Sequence, residues 1–365
     1  MTGSPAALLT IDLGAIAANY RLLAQKAAPA AAAAAVKADG YGVGVKPVIR
    51  TLVAEGCRTF FVATIEEGVE LRAMLPDAVI CVLNGLIAGD PGEFRAHRLL
   101  PALNDLGQVD TWRRWSQDNI SAPAVLHLDT GMARLGLPPQ ELQILADEPE
   151  RIAGVNLYLI MSHLACADEP THPLNEEQRR AFAAALTRLP ATPASLAASS
   201  GIFLGPAYHF DMVRPGVSLY GINPQPGRPN PMNAVVRLQA KILQIRDVDT
   251  PQTVGYGASH RIAGPARVAT VAAGYADGYL RSLSGRGTAH IGDIAVPVVG
   301  RVSMDLITLD VTRAPEVRPG DMVDLIGPHH DVDALAAEAD TIGYEILTNL
   351  GRRFRRRYIG GKEDA

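Results

Sequence analysis

Cysteine is scarce in this 365-residue chain: Cys57, Cys81 and Cys166 are the whole set, odd in number and far apart. No CxxC pair offers the spacing of a zinc or redox centre, and an odd count argues against a disulfide framework. His329 and His330 in GPHHD lack a spaced third ligand, so no metal is expected. Excess charge is missing too. Lys plus Arg number 34 against 38 Asp plus Glu, a net charge of -4 that gives no reason to expect nucleic acid as a partner. No run approaches the roughly 18 apolar residues of a membrane span, and the Ala-rich stretch 27–36 is broken by Pro29. The start, MTGSPAALLTIDLG, lacks the basic and long apolar regions of a secretory signal. A soluble, cytoplasmic protein with no membrane partner is the expectation.

What the chain does have is core material. Hydrophobic residues make up 48% and charged residues 20%, which is globular composition and excludes disorder. The length suggests two domains at about 150 residues each. Apolar runs at 31–39, 59–64, 78–85, 99–105, 122–130, 152–164, 193–200 and 209–221 alternate with helix-like segments such as 45–56, 65–74 and 173–189. That alternation means parallel βαβ units, and eight of them predict a closed (β/α)8 barrel over 10–225. The first run, AAAAAVKAD, has poor strand propensity and is assigned by its context. After NPQPGRPNP (223–231), with four prolines in nine residues, the runs 235–248, 266–274, 294–304 and 305–311 lack long helices between them. They predict a mostly antiparallel β domain over 226–365, with residues 1–9 a candidate extra strand. A helix at 332–340 and a short segment at 344–350 close it.

Reactive groups of such a barrel sit at strand C-termini. Lys37, Asp39 and Tyr41 follow the first strand there. Arg134 follows the fifth, His163 ends the sixth, Ser199 and Ser200 end the seventh, and Arg214 lies in the eighth. An isolated strand-end lysine usually reaches out to solvent. Here VKADGYGVG (36–44) sets Lys37 before a Gly-rich loop and a helix start that would suit an anion. Burial lowers a lysine's pKa, and the neutral amine can form a Schiff base. VRPGVSLYG (213–221) offers a second anion loop at Gly216. Lysine, phosphate cradle and flanking aromatics together point to pyridoxal phosphate. RRFRRR (352–357) reads as a solvated basic face or an acidic-partner contact.

AVKADGYGVG (35–44), LDTGMARLG (128–136), MSHLACADE (161–169), MVRPGVSLYG (212–221), VGYGASHR (254–261), GYADGY (274–279) and GRVSMD (300–305) resemble the alanine racemase family. The resemblance runs from IDLGAIAANYR (11–21) to TIGYEIL (341–347). It implies a pyridoxal-phosphate enzyme that interconverts L- and D-alanine and supplies D-alanine for peptidoglycan. Racemisation needs a base on each face of Cα; the resemblance gives these roles to Lys37, which also holds the cofactor, and Tyr256. It sets His163 beside the pyridine ring, Arg214 at its nitrogen, and Tyr41, Ser199, Gly216, Val217 and Tyr344 on the phosphate. Arg134 and the backbone of Met304 match groups that hold the substrate carboxylate, with Asp305 supporting that loop. A head-to-tail homodimer would bring Tyr256 to the other subunit's site. Asp168, Tyr275, Arg281, Arg301 and Ile342 would line a narrow access path.

Two positions depart from the family. Ala198 replaces a common Asn, so one cofactor-side hydrogen bond is either missing or supplied by Ser200. His127 stands where some members carry a carbamylated lysine, so Arg134 needs another partner, for which Asp129 is the candidate. Other readings remain open at this point: a racemase that also takes serine, a pyridoxal-phosphate carrier without racemase activity, a decarboxylase, and an aldolase with a cofactor-free Schiff base. A carrier needs no Tyr256, a decarboxylase would carry Cys where Ser303 stands, and an aldolase would bind no chromophore.

Overall fold

The computed structural model describes residues 5–87, 91–118 and 122–361. Of the expected extra strand at 1–9, residues 1–4 lie outside the described residues, as do 362–365 of the second expected domain.

Eight parallel segments ring the first half. They are residues 31–35, Thr59–Val62, Val79–Val82, Leu100–Leu103, Pro123–His127, Asn156–Met161, Ala194–Ser195 and Met212–Val213. Register pairs such as Ala34 with Phe60 and Phe61 with Cys81 link neighbours. The ring closes where Met212 pairs with Ala31 and the Arg214 N–H donates to the Ala197 carbonyl at 2.9 Å. The alanine-rich run is thus a barrel strand against its propensity. Ala34 and Ala35 are buried and lie beside Phe60 and Phe61, so small side chains fit where the next strand supplies large ones.

The helices follow their sequence signals. Val45–Ala54 buries Val45, Val48, Ile49 and Leu52, one face at helical spacing. Ile65–Met74 starts where the Thr64 hydroxyl accepts the Glu67 N–H. Pro173–Leu186 opens on proline, whose missing N–H needs no partner in the first turn. The run 209–221 is strand only at Met212–Val213; a 3-10 turn, Val217–Tyr220, follows.

The second sheet is built on Val236–Val248, which pairs antiparallel with Ala7–Asp12, Met322–Ile326 and Ala266–Val271. A register shift between Ile242 and Gln244 lets this long strand bend between partners. Arg355–Ile359 lies parallel beside Ala7–Asp12, the exception in a mostly antiparallel sheet. Residues 223–231 form neither helix nor strand.

The basic cluster is a largely exposed face, as expected, and several of its arginines also hold partners. Arg353 clamps the buried Asp277 at 2.5 and 2.8 Å and reaches Asp305 at 2.8 Å. Arg356 donates to the Gly42 carbonyl at 2.9 Å, and Arg357 to the Thr10 hydroxyl at 3.1 Å. Sequence spacing hides such partners, which the fold brings near.

Candidate active site

A cavity of about 960 Å³ lies at the C-terminal ends of the barrel strands, with residues 341–349, around the helix Gly343–Thr348, forming its other wall. Lys37, Tyr41, Arg134, His163, Ser199, Arg214, Gly216, Val217 and Tyr344 all line it. Sequence reasoning took Lys37, Tyr41, Arg134, His163, Ser199 and Arg214 from strand ends, Gly216 from the second anion loop, and Val217 and Tyr344 from the family resemblance. It missed Phe61, Asn84, Thr341, Glu345, Thr348 and Asn349, of which Asn84 had the same strand-end signal.

Lys37 leads into a left-handed turn: Ala38, Asp39, Gly40 and Tyr41 have φ of 53, 52, 62 and 55°. A left-handed helical conformation costs about 1–2 kcal/mol for each residue bearing a Cβ, so the turn persists only because its surroundings hold it. Glu67 accepts the N–H groups of Ala38 and Ala63, both at 2.7 Å, and Asp39 accepts from Val45 at 2.8 Å. Arg356 and Tyr358 fasten the carbonyls of Gly42 and Val43, each at 2.9 Å. A Cβ on Gly42 would come within 2.2 Å of the Leu347 carbonyl oxygen, so glycine lets the loop reach that helix. Thr64-x-x-Glu67 has the spacing of a helix-capping signal, and the Glu67 carboxylate also supports the lysine turn.

Burial, and then the nearby Arg134 charge, lower the Lys37 pKa, which favours the neutral amine. Arg214 is buried over the Phe61 ring and donates to the Ser195 hydroxyl and to the Ser162 carbonyl at 2.6 Å. Burial lowers its pKa to about 10, so it keeps its charge at neutral pH. Burial also lowers His163 to about 3 and His127 to about 4, with Arg214 and Arg134 adding to both. Both imidazoles are neutral at pH 7.

These histidine shifts have a sign for stability. The unfolded chain binds protons near pH 6.5, before either folded ring does. Their contribution is therefore intact above about pH 6.5 and is lost as pH falls toward about 4 and about 3. We expect the urea midpoint of the wild type to drop between pH 7 and pH 5, and that of His127→Gln to drop less. Equal slopes would mean that His127 is not buried in its neutral form.

The cradle end is built from hydroxyls. Ser199 Oγ accepts the N–H groups of Gly216 at 3.0 Å and Ser218 at 3.2 Å, which leaves its own proton to donate. Tyr41 stacks on Tyr220 at 4.8 Å and lies 6.2 Å from the Tyr344 ring. Burial raises both cavity phenols, Tyr344 to about 12, so both remain donors. A Cβ on Gly216 would sit 2.3 Å from Tyr41 Oη. We expect Gly216→Ala to weaken cofactor binding by about 1–3 kcal/mol through overpacking, read by equilibrium dialysis of pyridoxal phosphate. Unchanged affinity would remove Tyr41 from the cradle. A half-buried lysine beside hydroxyl donors and a cradle kept open by glycine fits a phosphate-bearing aldehyde cofactor.

Other expectations are corrected. Ser200 does not line the cavity beside Ala198 and so supplies no substitute donor there. Asp129 accepts the N–H groups of Gly131, Met132 and Ala133, because its loop needs capping, and makes no ion pair with Arg134. His290 stacks near His329 and His330, at 5.7 and 5.9 Å, giving them a third neighbour that sequence spacing concealed. Among the described residues, however, no group of three or more His, Cys, Asp or Glu could hold a metal ion.

Tyr256 and Met304 are not brought to this cavity. Tyr256, 72% exposed, follows the strand Gln252–Val254 of a hairpin and borders a separate hollow of about 520 Å³ with Arg301. Met304, 53% exposed, sits in a loop whose Ser303 and Met304 carbonyls accept from Tyr275 and Ala276 at 3.0 Å.

Residues 11–224 match the alanine racemase N-terminal domain and residues 235–358 the alanine racemase C-terminal domain. The chain belongs to the alanine racemase family. An alanine racemase of Rhodospirillum rubrum is 52% identical over 98% of this chain and 97% of its own. A catabolic alanine racemase of Mesorhizobium japonicum is 49% identical over 97% and 94%. The crystal structure of the Bartonella henselae alanine racemase, which has covalently bound pyridoxal phosphate, superposes with a TM-score of 0.95. It is 42% identical and covers 98% of this chain and 100% of that one. The family fold is a barrel followed by a sheet domain, as the strand count predicted.

Proposed function

We propose that the chain interconverts L- and D-alanine, with pyridoxal phosphate carried by Lys37 and with Lys37 and Tyr256 moving the Cα proton on opposite faces. The observation that carries this reading is one cavity joining a lysine of lowered pKa to a hydroxyl-lined anion cradle. When bound, the cofactor supplies the electron sink that makes the Cα proton removable. Tyr41, Ser199, Tyr344 and the backbone at Gly216 and Val217 hold its phosphate. Arg214, always protonated at neutral pH, donates a hydrogen bond to its ring without giving up a proton. Neutral His163 lines the same cavity and would add no charge beside that ring. Arg134 and, across a head-to-tail homodimer, the N–H of the partner subunit's Met304 hold the substrate carboxylate.

Lys37 takes or returns the proton as a neutral amine. Tyr256 performs the complementary transfer, and it must come from elsewhere, since within one chain it borders a different hollow. We assign a head-to-tail homodimer in which Tyr256 of the partner subunit completes the cavity. The exposure of Tyr256, Met304 and Tyr275 supports such a covered face. Enantiomers have equal free energy, so mass action sets direction. We assign the supply of D-alanine for peptidoglycan, in the cytoplasm.

The test is proton NMR of L-alanine in deuterium oxide with enzyme and pyridoxal phosphate, with chiral analysis of the same samples. Deuterium at Cα with accumulating D-alanine is expected. Exchange without inversion would remove Tyr256 as second base, and no exchange would refute the alanine assignment. Inversion of serine at a comparable rate would broaden the substrate class, since one small group in a pocket is worth only about 1–3 kcal/mol.

A further inference from the structure

We propose that Gln178, on the helix Pro173–Leu186, is a positioning residue for the reaction: its buried amide holds Ser162 and His163, and through Ser162 the Arg214 guanidinium, in place beside the cofactor. The inference rests on the reading of His163 and Arg214 as neighbours of the cofactor ring.

The buried face of this helix is polar where a packed face is normally apolar. Asn175, Gln178, Phe182 and Ala185 recur at helical spacing and are all buried, Gln178 with no exposed surface. A buried amide is costly unless its groups are bonded. Here they are. Gln178 Nε2 donates to the His163 carbonyl at 2.9 Å and to the Thr130 hydroxyl at 3.3 Å, and Oε1 accepts the Ala165 N–H at 2.8 Å. The amide cannot be turned round, because the His163 carbonyl only accepts and the Ala165 N–H only donates. A carboxylate would lack both donors at neutral pH, and an ammonium would lack the acceptor. Gln178 does not line the cavity, so ligand contact does not account for it.

These bonds converge on one peptide. Thr130 Oγ1 lies 2.8 Å from Ser162 Oγ, so Gln178 grips Ser162 through Thr130 and His163 directly. The Ser162 carbonyl accepts from Arg214 at 2.6 Å, and the Ser162 N–H donates to the Ser195 carbonyl at 3.0 Å. His163 and Arg214 both line the cavity. Support therefore runs from the helix, through one side chain, to both groups assigned to the ring. Asn175, three residues earlier, grips the same loop farther along. Its Nδ2 donates to the Cys166 and Glu169 carbonyls, both at 3.0 Å. Those bonds bypass Ser162 and His163, so Asn175 serves as a control for loosening of the loop alone.

The experiment uses the holoenzyme. Gln178→Leu, which keeps the bulk and removes the bonds, should lower kcat about ten- to a hundredfold with KM for alanine little changed. It should also alter the visible circular dichroism of the bound cofactor. Gln178→Glu keeps the acceptor and loses both donors, so it should match Gln178→Leu, and it carries the test if the leucine variant fails to fold. Thr130→Val should shift the dichroism in the same direction, Thr130→Ser should restore it, and Thr130→Val with Gln178→Glu should add less than their sum. Asn175→Ala should lower the urea midpoint and leave the dichroism as in the wild type. Wild-type kcat or wild-type dichroism in a folded Gln178 variant overturns the proposal. Equal disturbance of the dichroism by Asn175→Ala overturns it too, since any loosening would then suffice. If His163→Phe alters the dichroism while the Gln178 variants do not, the proposal falls and the ring reading stands. If His163→Phe leaves the dichroism unchanged, the ring reading of His163 falls and takes the proposal with it.

Discussion

Lys37→Ala should bind no cofactor covalently and should lose alanine racemisation by about four orders of magnitude or more, because carrier and base vanish together. The chain has five lysines, Lys26, Lys37, Lys46, Lys241 and Lys362. Of those among the described residues, Lys37 alone lines the cavity. Its lowered pKa comes first from burial and then from Arg134. The measurement pairs visible absorbance of the purified protein, reconstituted with pyridoxal phosphate, with chiral chromatography of alanine. Persistent covalent cofactor would move the carrier role to another lysine. Absence of the chromophore with retained racemisation would sever the cofactor from the reaction.

Tyr256→Phe should keep the wild-type absorbance and lose about two to four orders of magnitude in racemisation, the usual contribution of a general acid or base. The phenol lies outside the cradle, so cofactor binding has no reason to change. Solvent deuterium should still enter one enantiomer faster than inversion occurs, since Lys37 continues to serve its own face. Mixing this variant with Lys37→Ala adds a geometric check. If each site combines the two subunits, a mixed dimer has one intact site and one doubly damaged site. Random exchange should then restore about a quarter of wild-type activity from two inactive proteins. No recovery after demonstrated subunit exchange would place both bases in one chain.

Much of this was legible because barrel chemistry sits at strand ends. Eight apolar runs led to Lys37, His163, Ser199 and Arg214 without further information, and all four share the cavity. Long-range support was less legible. Glu67 carries a helix-start signal, and nothing local says that its carboxylate reaches a turn 29 residues earlier. Arg353 and Arg356 sit in a run whose periodicity is that of exposed charge, yet they meet Asp277 and the Gly42 carbonyl. Asp129 had the right charge and spacing for Arg134, but three unpaired N–H groups lay closer along the chain. The alanine strand escaped propensity because packing against Phe60 and Phe61 outweighs it.

The fastening of Gly42 by Arg356 also bears on the order of synthesis. The two residues are 314 positions apart. At about 5–20 residues per second, Lys37 leaves the ribosome on the order of tens of seconds before its loop can be completed. Tyr344 and Tyr358 are late arrivals for the same reason. A chain cut short before the last strand would carry the reactive lysine without its clasp or its full cradle. Cofactor capture is thereby deferred until these residues have been made, and chains that stop before them are poor traps for the aldehyde.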